Sequence, residues 1–213
     1  MTEYKLTKRK LQSLESRKKI FQTAIGLIKK KGFDRVTIDE ICSTANVSKG
    51  LFYNYFSSKD QIVVEQFLEI DNYYRDAVEK HLTDFKGIEK LLKFIVFQMK
   101  YCRHALGRNL IRNVYRSLIM SGKTGHIMLD EGRYLYTFLR ETVEEAKNMG
   151  ELPLDVNTKE ICLKIVVIMR GAIYSWCLYD RDFNLEDTAV EMISAFMKGI
   201  QSRRKEGLVT QIR

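Results

Sequence analysis

The stretch "VTIDEICSTANVSKGLFYNYFSSK" (residues 36–59) decides how this chain is read. Thr37, with Glu40 three residues later, is a capping-box pattern, so a helix is expected to start near Ile38. Ile38, Ile41, Cys42 and Ala45 give that helix an apolar inner face. "NVS" (46–48) breaks it, and Ser48 can cap a shorter helix that opens with Lys49 and Gly50. Ser57 and Ser58 end the short helix and cap a fourth, expected to run from about Lys59 to His81.

The short helix carries four rings. At about 100° per residue, Phe52 and Phe56 fall on one face and are expected to point inward. Gly50, Leu51 and Asn54 lie on the opposite side, Tyr53 and Lys49 along one edge, and Tyr55 along the other. The two tyrosine hydroxyls can reach phosphates or base edges. Gly50 has no side chain, so the helix start can approach another molecule closely. Backbone N–H groups at that end favour phosphate, and Lys59 can neutralise another.

Upstream, residues 11–31 read as a helix. Leu14, Phe21, Ala24, Ile25 and Ile28 form its stripe, with Ile20 and Leu27 widening it. "KKKGFD" stops it, with Gly32 in the helix-ending position. A helix, a tight turn and a second helix over 38–56, packed on a preceding helix, is the helix-turn-helix layout of small DNA-binding domains.

Charge supports an anionic partner for this region. Residues 1–60 hold 13 Lys/Arg and 6 Asp/Glu, or 13 − 6 = +7, whereas residues 61–213 hold 23 and 21, or 23 − 21 = +2. Nearly all the excess positive charge therefore lies in the first quarter, which suits nucleic acid before a membrane surface. The N-terminal arm, with Lys8, Arg9, Lys10, Arg17, Lys18 and Lys19, either adds phosphate or minor-groove contacts or is a solvated basic tail.

Beyond residue 85 five further helices are expected, near 87–104, 108–121, 126–148, 157–180 and 186–203. Gly107, "SGKTG" (121–125), "MGELPLD" (149–155) and "DRDFN" (180–184) separate them. One proline in 213 residues suits an all-α chain. Two domains are expected, a helix-turn-helix domain at 1–60 and a helical domain at 61–213.

Several function classes are disfavoured. No nucleophile–base constellation, glycine-rich phosphate loop or H-E-x-x-H motif is present, so neither an enzyme nor a cofactor is expected. Cys42, Cys102, Cys162 and Cys177 are widely spaced and read as reduced, mostly buried thiols. His81, His104 and His126 show no metal-site spacing. Lys164 and Arg170 interrupt the apolar stretch 161–178, which reads as a buried helix rather than a membrane span, and no secretory signal is visible. A cytoplasmic protein is expected. A helical small-molecule carrier without DNA activity is the rival reading, but it leaves the +7 unexplained.

The stretch "GFDRVTIDEICSTANVSKGLFYNYFSSKDQIVV" (32–64) resembles the N-terminal domain of TetR-type transcriptional regulators. The matching positions are Gly32, Thr37, Ile41, Ala45, Val47, Ser48, Lys49, Gly50, Tyr53, Phe56 and Lys59. Residues 150–200 look more loosely like the C-terminal helices of that family, and 85–149 match in helix layout only. The resemblance implies a homodimer on palindromic operator DNA, most often a repressor, released by a small molecule. It implies that Thr37 and Ser48 bond phosphates, that Lys49, Gly50 and Tyr53 read base edges, and that Asn54, Tyr55 and Lys59 contact phosphates or flanks. Leu51 departs from the Thr or Ser common there and can touch only a thymine methyl.

It also implies an effector pocket in the middle helices. Candidate lining residues are Phe94, Phe97, Gln98, Tyr101, Arg112, Tyr115, Tyr134, Phe138, Met169, Tyr174 and Trp176. Lys100, His104, Arg108, Arg112 and Arg116 recur every fourth residue, either as an anion site or, with Gly107 breaking the helix, as a solvated basic face. The apolar helices near 157–180 and 186–203 are expected to pair with their copies in a four-helix interface.

Overall fold

The computed structural model describes residues 8–120, 130–179 and 183–202, and every regular element among them is helical. The turn expected at 121–125, the first four residues of the helix expected at 126–148, and Asp180 to Asp182 lie outside the described residues. The chain divides into two compact units.

The first unit comprises residues 1–68 and 109–125. It contains α1 (Lys8–Lys31), α2 (Ile38–Ala45), α3 (Lys49–Tyr55), α4 (Lys59–Leu68) and most of α7 (Arg108–Met120). α1 is the spine, with α2, α3 and α4 packed on it. Ile20, Ala24 and Ile28 are fully buried, as are Ile41, Ala45, Phe52, Phe56, Ile62 and Val63 from the other helices. Leu14 departs from the expected stripe and is 51% exposed. Stepping back from Ile20 by three and seven residues lands on Arg17 and Ser13, which meet Glu65 and Tyr55. Leu14 is about 100° off that line.

The second unit comprises residues 69–108 and 126–213. It contains α5 (Ile70–His81), α6 (Gly87–Lys100), a π-helical turn (Tyr101–Leu106), α8 (Tyr134–Asn148), α9 (Thr158–Leu178) and α10 (Leu185–Ser202). α6 packs on α10, α8 and α5, and α9 packs on α8 and α10. α9 is long and apolar enough to cross a membrane, but its row Ile161, Ile165, Met169, Trp176 is buried inside the unit.

Three expectations need correction. The long fourth helix is two, interrupted at Glu69, whose ψ of −15° departs from helical geometry without a Gly or Pro to announce it. The helix expected at 87–104 becomes π-helical from Tyr101, with the Gly107 N–H on the Cys102 carbonyl five residues back at 2.9 Å. Gly107 then stops it at φ +78°. Finally, α8 begins at Tyr134. The residue before it, Arg133, is extended and buried, and holds Asp71 on α5 through two hydrogen bonds of 2.8 and 2.9 Å. A two-pronged pair of this kind fixes the chain where a helix would have carried the side chain elsewhere. All four cysteines are free and buried.

Candidate nucleic-acid interface

The site is built by local signals that set α3 in place. Gly32 ends α1 at φ +84°, donating to Ile28 at 2.9 Å. Thr37 Oγ1 then accepts from the Glu40 N–H at 3.1 Å and starts α2. Only half of the capping box forms, because the Glu40 carboxylate pairs with Lys31 instead of turning back. Asn46 ends α2 in the left-handed region at φ 53°, where Asn is among the few tolerated residues. Ser48 Oγ accepts from the Leu51 N–H at 3.1 Å and opens α3 two residues later. Ser58 Oγ caps α4 through the Gln61 N–H at 3.2 Å, and Gln61 in turn accepts from the Ser57 N–H at 2.7 Å.

α3 is anchored by its rings. Phe52 and Phe56 are fully buried with centroids 5.9 Å apart, and the Arg17 guanidinium lies 4.9 Å from the Phe56 ring. With that face pinned, Lys49, Gly50, Tyr53 and Asn54 are exposed and Leu51 is half-buried. Tyr53 is 55% exposed and stands edge-on to Phe52 at 5.4 Å. A methyl group at Gly50 would meet only Ser48 Oγ, at 3.9 Å, and the Gly50 φ is not in the positive region. The fold itself therefore has no use for glycine there, although glycine in a helix costs about 0.5–1 kcal/mol relative to alanine.

Thr37, Ser48, Lys49, Gly50, Tyr53 and Asn54 all reach the surface together. Two other sequence candidates are occupied within the unit. Tyr55 Oη is 2.9 Å from Ser13 Oγ on α1. Lys59 Nζ donates to the carbonyls of Phe33, at 2.9 Å, and Val36, at 2.5 Å, and lies 4.4 Å from the Phe33 ring. Lys59 thus ties the α1–α2 turn to α4. Lys49 meets Asp39 Oδ1 at 2.6 Å, with both side chains largely exposed. The hydrogen bond to Asp39, and then its charge, raise the Lys49 pKa, so the ammonium is charged throughout the neutral range. Sequence reasoning missed Asp39, since nothing in its spacing marks it as the neighbour of Lys49.

The second unit holds most of the effector-pocket candidates. Phe94, Gln98, Phe138, Met169 and Trp176 are buried, and Phe97, Tyr101 and Tyr134 are half-buried. Phe94 lies 4.2 Å from Phe138 and edge-on to Tyr74 at 5.2 Å. The Gln98 side chain hydrogen-bonds the Tyr74 hydroxyl, while its Oε1 is buried without a hydrogen-bond partner among the described residues. Tyr174 is 51% exposed. Arg112 and Tyr115 belong to the first unit. The four-residue basic repeat is divided between the two units: within the second, His104 faces Glu186 at 3.8 Å and Arg108 covers Trp176 at 5.0 Å, and within the first, Arg116 meets Asp34 at 2.5 Å.

A basic helical unit with a pinned inner face and a glycine-opened outer face defines a helix-turn-helix DNA-binding protein. Residues 20–65 match the family described as bacterial regulatory proteins, tetR family. The probable acrEF/envCD operon repressor of Escherichia coli (strain K12) is 21% identical over 199 residues, covering 89% of this chain and 88% of that protein. The biofilm operon icaADBC negative transcriptional regulator IcaR of Staphylococcus epidermidis is 30% identical over 77 residues, covering 36% of this chain and 42% of that protein. Among solved structures, Thermus thermophilus FadR, a TetR-family repressor in complex with lauroyl-CoA, superposes with a TM-score of 0.70 at 19% identity, covering 92% of this chain and 97% of that one. Residues 20–65 thus carry the DNA-binding domain of the tetR family of bacterial regulatory proteins, and the chain as a whole has the fold of TetR-family repressors.

Proposed function

We propose that this chain is a ligand-responsive transcriptional repressor that binds a palindromic operator as a homodimer and leaves it when a small molecule binds. The carrying observation is the outer face of α3, where Lys49, Tyr53 and Asn54 surround a glycine that the fold does not need. Lys49, Gly50 and Tyr53 read base edges. Thr37, Ser48 and Asn54 hold the backbone, and Leu51 contacts a thymine methyl. Residues 1–60 act as the DNA-binding domain and 61–213 as the effector and dimerisation domain of a cytoplasmic protein.

One short recognition helix reads few bases, and a second copy doubles the readout. The surface that supports pairing is on α9. Leu163, Val167, Tyr174 and Leu178 are exposed at helical spacing, with Met192 exposed on α10. The effector position rests on Gln98, whose side chain meets the Tyr74 hydroxyl while its buried Oε1 has no hydrogen-bond partner among the described residues. Phe94 and Phe138 beside Tyr74 provide the apolar wall.

Sequencing the genomic fragments retained by the purified protein at moderate salt tests this function. A shared palindrome beside a few genes is expected. Retained fragments with no common motif would contradict it.

A further inference from the structure

α6 has two working faces. Phe94, Gln98 and Met99 point into the unit, while Lys93, Val96, Phe97 and Lys100 line a groove on its other side. His81, Leu82 and Phe85, from the end of α5 and the turn after it, complete the groove, whose volume is about 360 Å³. Its floor is apolar yet open to water, since Phe85, Val96 and Phe97 are only half-buried. The His81 ring lies parallel to Phe97 at 5.3 Å and 11°, and Lys93 Nζ sits 4.1 Å from the Phe85 ring.

The charge around this floor has one sign. Lys93 and Lys100, two turns apart on α6, stand at either end of Val96 and Phe97, and among the described residues no acidic side chain lines the groove. Glu89 lies one turn before Lys93 at 3.7 Å, and both are well exposed, so this pair is weak and exchangeable. An apolar floor between two cations complements a molecule with a hydrocarbon or aromatic body and an anionic head.

We infer that this groove binds a small amphipathic carboxylate, with its body on Phe85 and Phe97 and its head on Lys93 or Lys100. The site is separate from the effector position at Gln98 and does not depend on that reading. It gives the regulator a second small-molecule input on the outside of α6.

The test uses 4-phenylbutyrate as probe and the full chain with isotope-labelled phenylalanine rings, observed by NMR. Millimolar probe is expected to shift the Phe85 and Phe97 ring resonances and leave those of Phe94 and Phe138 in place. The neutral 4-phenylbutanol should bind about tenfold more weakly, because it cannot make the charge-assisted contact. The double variant K93Q/K100Q, at two surface positions, should lose the shifts while keeping its helical circular dichroism. Gln98→Leu should keep them. Shifts confined to Phe94 and Phe138, equal binding of the alcohol, or undiminished shifts in K93Q/K100Q would each overturn the inference.

Discussion

The ammonium of Lys59, on the first turn of α4, donates to the Phe33 carbonyl at 2.9 Å and shares the same residue's ring face at 4.4 Å. A lysine that resembles a phosphate contact thus closes the turn from which α2 departs. Lys59→Met keeps the stem and removes two charge-assisted hydrogen bonds. It is expected to lower unfolding free energy by about 1–3 kcal/mol in urea titrations, because the Phe33 and Val36 carbonyls each lose a charged donor, Phe33 keeping only the Val36 N–H. Full stability with a selective loss of DNA affinity would instead return Lys59 to the phosphates.

Asp39 pairs with Lys49 on the face proposed to read DNA. Its contact with Lys49 is exposed at both ends, so it adds little to stability. Asp39→Asn is expected to tighten DNA binding and to steepen its salt dependence, since a repelled carboxylate is removed and Lys49 is released. Fluorescence anisotropy across a salt series measures both. Weaker binding by D39N would show that Asp39 positions Lys49 rather than restraining it.

Tyr53→Ala removes an exposed ring that stands edge-on to Phe52. Operator affinity is expected to fall by about 1–3 kcal/mol, as for loss of one base contact, with the dimer unchanged in sedimentation. Unaltered affinity would take Tyr53 out of the reading set.

Much of the first unit was legible because its signals are local. Gly32, Thr37, Ser48 and the Phe52/Phe56 pair act within four residues of their own positions, and each does what its spacing predicts. Contacts distant in sequence were not legible. Tyr55 is bonded to Ser13, 42 residues away, and Lys59 to Phe33, 26 residues away. Sequence spacing alone leaves both free to meet DNA. Arg133 likewise ends the expected helix early because Asp71, 62 residues back, holds it. The break at Glu69 and the π turn at Tyr101 have no Gly or Pro at the point of departure, so periodicity ran straight through them.

Gln98 carries the effector argument. Gln98→Leu replaces a buried polar group with an unmet acceptor by an apolar side chain of similar size. It also takes the Gln98 side chain away from the buried Tyr74 hydroxyl, so no net gain in thermal stability is expected. It should also leave DNA bound at effector concentrations that release the parent protein. Normal release by Q98L would remove Gln98 from the effector site.

The most direct measurement is the operator affinity of Gly50→Ala, read together with its thermal melt. The fold leaves room for the methyl group, with Ser48 Oγ its nearest neighbour at 3.9 Å. Alanine is the better helix former by about 0.5–1 kcal/mol. The account predicts a protein at least as stable as the parent that has lost most of its affinity for the operator. Undiminished affinity in a well-folded Gly50→Ala protein would contradict it, because the start of α3 would then not approach DNA.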